Sequence, residues 1–383
     1  MVDPTPALLR AAETRLPQLI EDVRRLVEVE TPSEDRAAVA RGAEVVAGLI
    51  EQRLGLTPET LEIDGVTHLR VRFGSVPPKV LLVNHQDTVW PHGTLARKPF
   101  TQQDGVLRGP GVFDMLTGLA MSIHAAAILA EAGEDLTGLG ILVTGDEELG
   151  SVTSRDLLLE EAAEARAAFV MEGALDTSLK IARKGTSMYT VVVHGRAAHA
   201  GLEPEKGINA GIILGQLLPE IEALGSAEHG TTVTPTVLSA GTTGNTVPDR
   251  AQVEVDARAK TIAEQERVDA QIRQLSTDIE GARVEVTGRI NRPPMERSAA
   301  EELYARAEQI AESIGIGQLT GAEVGGASDG NFTAAAGVPT LDGMGATGGG
   351  AHAEHEHTLV ENIAPRTALL AGLIAATLSD SDQ

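Results

Sequence analysis

No cysteine occurs among the 383 residues, which removes disulfides, cysteine nucleophiles and thiolate metal sites at once. Any transition metal held by this chain must be held by His, Asp and Glu. Positive charge is also scarce: 31 Lys and Arg face 55 Asp and Glu, a net charge of −24, which argues against a nucleic-acid or an anionic-membrane partner. The opening Met1-Val2-Asp3-Pro4-Thr5-Pro6 has no basic stretch followed by an apolar core, and no run of about 18 apolar residues stands out as a membrane span. Together these absences lead to the expectation of a soluble, cytoplasmic protein.

What is present is ample for packed cores. Hydrophobic residues make up 42% of the chain, and its length exceeds what one core normally holds, so two domains are expected. Leu8, Leu9, Leu16, Leu19, Ile20, Val23 and Leu26 recur at mostly three- and four-residue spacings, the mark of an amphipathic helix. Strands are expected at 66–73, 79–83, 139–144 and 167–171, alternating with helices at 117–132 and 154–165. That alternation predicts an α/β domain with a mostly parallel sheet. From about Lys184 the order becomes β-α-β-β-α-β, with strands near 188–194, 234–240, 251–259 and 284–290 and helices near 208–224 and 262–279. This is the order of a ferredoxin-like unit. Helices at 298–314 and 364–378 and a strand near 338–341 then return to the first pattern, so the expected domains are 1–183 with 293–383, and an insert at 184–292.

The charged and imidazole groups gather just after the apolar runs. Strand 79–83 runs into Asn84-His85-Gln86-Asp87, where a carboxylate two residues from an imidazole can orient its ring. Arg108-Gly109-Pro110-Gly111-Val112-Phe113-Asp114 is a tight glycine turn delivering Asp114 to a helix start, as an N-cap or as a carboxylate able to bridge two cations. Gly145-Asp146-Glu147-Glu148 follows the third strand, and Glu172 the fourth. Side chains of adjacent residues on an extended segment point to opposite sides, so Glu147 and Glu148 share one task only if the chain turns between them. Alone the pair suits a solvated acidic turn as well as a ligand beside a proton carrier. His352 stands in Gly348-Gly349-Gly350-Ala351-His352, where glycines allow close backbone approach. The following Glu354-His355-Glu356-His357 reads as a solvated loop, Asp329 after Ser328 as a helix N-cap, and Trp90 as either cleft lining or loop packing.

Taken in order and spacing, the chain resembles the M20 family of metallopeptidases, in the branch of glutamate carboxypeptidase, acetylornithine deacetylase and succinyl-diaminopimelate desuccinylase. The motifs that carry the resemblance are His85-x-Asp87, Gly109 to Asp114 with the following glycine, Asp146-Glu147-Glu148-x-Gly150-Ser151, Glu172-Gly173, Ala198-His199-Ala200-Gly201, Asn245-x-x-Pro248, Asp256-x-Arg258, Gly325-Gly326-x-Ser328-Asp329-Gly330 and Gly350-Ala351-His352. Two places depart from it. Asp114-Met115-Leu116-Thr117-Gly118 lacks the usual lysine, and the stretch after His352 is not the frequent T-x-D-E.

The resemblance implies a di-zinc α/β peptidase domain with an inserted ferredoxin-like lid or dimerisation domain, and a homodimer. It assigns His85 and Glu172 to one zinc, Glu148 and His352 to the other, and Asp114 to both, with Co2+ or Mn2+ as possible substitutes. Glu147 becomes the general base, Asp87 orients His85, and His199 stabilises an oxyanion in the active site of the partner subunit. Arg258 and Asn245 become binding residues for the carboxylate side of a small peptide or N-acyl amino acid. The implied activity is hydrolysis of an amide next to a free carboxylate, of the glutamate carboxypeptidase type, with an N-acyl-amino-acid deacylase as the alternative. A silent binding protein that keeps the fold is the remaining class. The presence of all seven metal and base positions argues against it.

Overall fold

In the computed structural model of the chain, which describes residues 7–380, the apolar runs read as strands form the middle of one sheet. Met1–Pro6, where no secretory signal was read, and residues 381–383 lie outside the described residues. The sheet has six strands in the order Glu59–Ile63, Val66–Arg72, Leu139–Thr144, Val80–His85, Ala167–Val170, Thr340–Leu341. The last four are parallel, and the first two attach antiparallel at one edge. Every residue of Val80–His85 and Leu139–Thr144 is buried, as continuous apolar strands require.

Register decides where the chemistry can gather. His85 pairs with Thr144 and Val83 with Val170, so His85, the Gly145 turn and Glu172 leave the sheet at one level. The chain passes from Val80–His85 to the strand on one side, then crosses back to Ala167–Val170 on the other. Such a reversal opens a crevice outside the carboxyl ends of the strands.

Helices cover the sheet. Leu157, Leu158, Ala162 and Phe332 pack on Leu81, Val83, Leu142, Ala168 and Val170. The helices Ala7–Val27, Thr117–Glu131 and Ile363–Ser379 pack on one another. Gly118 lets the second of these come close to the sheet, since a Cβ there would lie 2.0 Å from the Met171 carbonyl oxygen. The segment Val112–Glu131 is in fact long and apolar enough to cross a membrane, unlike the expectation from sequence. Its most apolar window is 94% buried inside the fold, so it is a core helix. Helix Arg36–Leu54 was not foreseen either. Asp35 opens it by accepting the N–H groups of Ala37 and Ala38, and Gly55 closes it in a left-handed conformation.

The chain divides into two compact units. One runs to Ala182 and resumes over Arg297–Val324 and from Ser328 on; the other is Arg183–Glu296 with Gly325–Ala327. The second unit has an antiparallel sheet in the order Thr232–Ala240, Arg250–Ala259, Gly185–His194, Arg283–Arg292. Helices Ala210–Glu222 and Ile262–Ile272 bury Ile213, Leu217, Ile221, Val268 and Ile272 against Val191, Val193, Val253 and Val255. With its β-α-β-β-α-β connectivity, this is a ferredoxin-like topology.

Candidate metal centre

Five ligand-type side chains from five loops meet in the first unit. His85 ends its strand, and its Nδ1 lies 3.0 Å from the main-chain oxygen of Asp87. With the Nδ1 proton donated there, the Nε2 lone pair faces outward, the tautomer that a metal ligand requires. Nε2 is buried and forms no hydrogen bond. It lies 3.4 Å from Asp114 Oδ1 and 3.5 Å from Glu172 Oε1. The other oxygen of Asp114 lies 3.3 Å from His352 Nε2, which is 3.1 Å from Glu148 Oε2. Among the described residues, two groups thus have metal-ligand spacing, His85–Asp114–Glu172 and Asp114–Glu148–His352, and they share Asp114.

The spacing fits cations. Ligands about 2.0–2.1 Å from a tetrahedral zinc-type ion stand about 3.3 Å from one another; the histidine–carboxylate separations here are 3.1 to 3.5 Å, and all donors within each group lie within 4.8 Å of one another. Three donors per ion leave a coordination position open, as catalytic sites do. Charge points the same way. Burial alone would lower the His85 imidazole, yet Asp114, Asp87 and Glu172 outweigh it and raise it well above its ordinary range. Asp114 and Glu148 raise His352 to about 10. Burial opposes ionisation of Asp114, but His352 and His85 hold it well below the usual carboxylate range, while burial pushes Glu148 up. Without cations, protons fill the same electrostatic need. A set of imidazoles and carboxylates suits zinc, cobalt or manganese.

Local structure explains each placement. Asp114 does not cap the helix that follows. Leu116 occupies that position, and Asp114 is extended at φ −119° and ψ 95°, which leaves both carboxylate oxygens for the histidines. Glu147–Leu149 is a turn of 3-10 helix, so the chain does turn between Glu147 and Glu148. Their N–H groups donate to the two oxygens of Asp87 at 3.2 Å each, and the Ser33 hydroxyl donates to Asp87 at 2.7 Å. Asp87 thus meets His85 chiefly through its carbonyl, while its carboxylate accepts from the glutamate turn. His352 sits at φ 60° just after Gly350, a left-handed position uncommon for a side-chain-bearing residue.

Sequence reading missed several supports of this turn. His68 is fully buried; its Nδ1 accepts the Gly145 N–H at 3.2 Å and its Nε2 lies 3.0 Å from the Thr153 hydroxyl. Asp146 accepts the hydroxyls and N–H groups of Thr153 and Ser154. Asp329 stands where an N-cap would, yet makes no capping bond; it accepts from the Ser151 hydroxyl instead. His355, by contrast, is exposed as expected, and the expected solvated loop fails at Glu356, which is buried, and at His357, which is half-buried and begins the strand His357–Leu359.

The remaining expected site residues lie in the second unit. His199 and Asn245 come together there, because Ala198–His199 pairs with Thr246–Val247 and the Ala200 N–H donates to Asn245 O. His199 is exposed, and its Nδ1 accepts the N–H groups of Gly201 and Leu202. That fixes Nε2–H as a donor directed elsewhere. Arg258 is held by Asp256 through Nε and Nη2 at 2.9 Å each.

Residues 81–376 match Peptidase family M20/M25/M40. The chain is 27% identical over 388 residues to carboxypeptidase G2 of Pseudomonas sp. (strain RS-16), covering 97% of this chain and 92% of that one. It is 30% identical over 311 residues to the succinyl-diaminopimelate desuccinylase of Dechloromonas aromatica (strain RCB), covering 73% and 79%. The crystal structure of aminopeptidase PepT from Bacillus cereus ATCC 10987 shares the fold, with a TM-score of 0.76, 22% identity and coverage of 95% and 99%.

Proposed function

Because the chain belongs to Peptidase family M20/M25/M40 and is a hydrolase of that family, we propose that it hydrolyses an amide next to a free carboxylate, as a carboxypeptidase of the glutamate type. The observation that carries this reading is the pair of ligand groups sharing Asp114, with Glu147, buried, and Glu148, half-buried, on one turn. His85 and Glu172 would hold one ion, zinc in the first instance, Glu148 and His352 the other, and Asp114 both. When bound, such a pair supplies an activated water at neutral pH and polarises the scissile carbonyl.

The protein's own residues do the rest. Glu147 takes a proton from the attacking water and returns it to the leaving amine. Asp87 keeps the His85 tautomer and the glutamate turn in place. In the second unit, proposed as lid and dimerisation module of a homodimer, His199 offers Nε2–H to the developing oxyanion in the partner subunit's active site. Arg258, held by Asp256 through Nε and Nη2 and reaching Gly325 O through Nη1 at 3.4 Å, binds the substrate carboxylate together with Asn245. A cytoplasmic location, in keeping with the cysteine-free composition, belongs to the same proposal.

A second reading, an N-acyl-amino-acid deacylase, is favoured by the likeness to a desuccinylase. It differs only in which side of the amide fills the specificity pocket. Rates on N-acyl glutamate, N-acyl aliphatic and N-acyl aromatic amino acids, each with a free and an amidated carboxylate, test both. The leading reading expects glutamate to be preferred and amidation to abolish turnover. Equal rates on free and amidated substrates would contradict both readings.

A further inference from the structure

Glu356 lies in a stretch whose Glu354 and His355 are exposed, yet it is itself only 4% exposed. Its Oε1 accepts the N–H groups of Phe113 and Asp114 at 3.0 and 3.1 Å. Its Oε2 accepts the Gly111 N–H at 3.0 Å and the indole N–H of Trp90 at 2.7 Å. Four donors match the acceptor sites of one carboxylate, and three of them are main-chain groups of the loop that presents Asp114.

The main chain of Glu356 grips a second loop. Its N–H donates to Ala353 O, and the Ala353 N–H donates to Gly350 O, closing the turn that carries His352. The two loops are brought side by side by a small sheet, in which His357–Leu359 pairs with both Val106–Arg108 and Gly348–Gly349. A Cβ on Gly350, at φ 77°, would lie 2.9 Å from the Glu356 nitrogen, so this approach is already tight.

We propose that Glu356 is a positioning residue for the metal centre: its buried carboxylate locks the Asp114 loop to the His352 loop and so holds Asp114, Glu148 and His352 at ligand spacing. The proposal rests on reading the cluster as a metal centre. It separates the two ligand groups. His85–Asp114–Glu172 feels Glu356 through Asp114 alone, whereas Asp114–Glu148–His352 feels it at two of its three members. Glutamine in its place would set an amide NH2 against N–H donors, leaving at least one of them unpaired in a buried site.

Zinc affinities of the full chain, measured by competition with a chromophoric chelator, test this without any substrate. Glu356→Gln is expected to weaken the ion of the Asp114–Glu148–His352 group by about 10- to 100-fold, the usual cost of losing a ligand's support, and the other ion, reached through Asp114 alone, by distinctly less. Trp90 is the only tryptophan, so its emission reads the lost bond directly and should shift in the metal-free variant. Unchanged affinities for both ions, or equal losses at both, would overturn the proposal. If Glu356→Gln does not fold, Glu356→Asp, one methylene short of its four donors, is judged by the same split. A wild-type chain that takes up fewer than two ions would overturn the metal-centre reading itself, and the proposal with it.

Discussion

Two short acidic segments serve the same carboxylate, Asp114, in opposite ways. On the turn Glu147–Leu149, Glu148 faces His352 in the ligand cluster while its N–H, like that of Glu147, is pinned by Asp87. On Glu354–Glu356, one glutamate is exposed and pairs with Lys98 at 3.0 Å, while the other is buried and gathers main-chain N–H groups. A glutamate among imidazoles is placed to hold a cation. One among N–H donors is placed to hold the backbone that carries a ligand. Acidic character alone does not distinguish them; the donors around each carboxylate do.

Substitutions sharpen that contrast. Glu147→Ala should remove turnover by about 10²- to 10⁴-fold, the range for a general base, with metal content near normal. Persistent turnover would mean that another group moves the proton. An effect of intermediate size comes from pH. His352 in the metal-free cluster is raised to about 10, so at neutral pH it carries a proton that a metal must displace. Binding should release protons, and metal affinity should fall as pH falls. Calorimetric titration in buffers of different ionisation enthalpy checks this, and zinc uptake without proton release would count against it. The smallest effect belongs to Glu354→Gln. That residue is exposed and its pairing with Lys98 is a surface contact, so turnover and metal affinity should match the wild type. A clear loss of either would erase the distinction between Glu354 and Glu356.

The proposed ligands are legible in sequence because each carries a local signal. His85 and Glu172 follow apolar strands, Asp114 and His352 follow glycine turns, and the strand Leu139–Thr144 leads directly to Glu147 and Glu148. Their supports were not legible, because they act across the fold. Glu356 reaches partners 242 to 266 residues away, and Asp329 reaches Ser151 across 178. Nothing near Asp329 marks it as other than an N-cap. Helix Arg36–Leu54 escaped notice because Ala38, Gly42 and Ala43 form part of its buried face, and small residues give a weak apolar rhythm. The helix expected to run to 279 stops at Ile272. Beyond it the Thr277 hydroxyl accepts the Ile279 N–H at 3.3 Å, a local bond of the kind that competes with helix.

Among the described residues Asp114 alone belongs to both ligand groups. Metal analysis of the chain equilibrated with excess zinc, beside Asp114→Ala, therefore tests whether one carboxylate serves two ions. Two ions per wild-type chain and a loss of affinity for both in the variant are expected. A wild-type chain holding one ion or none, or a variant that still binds two tightly, would contradict this.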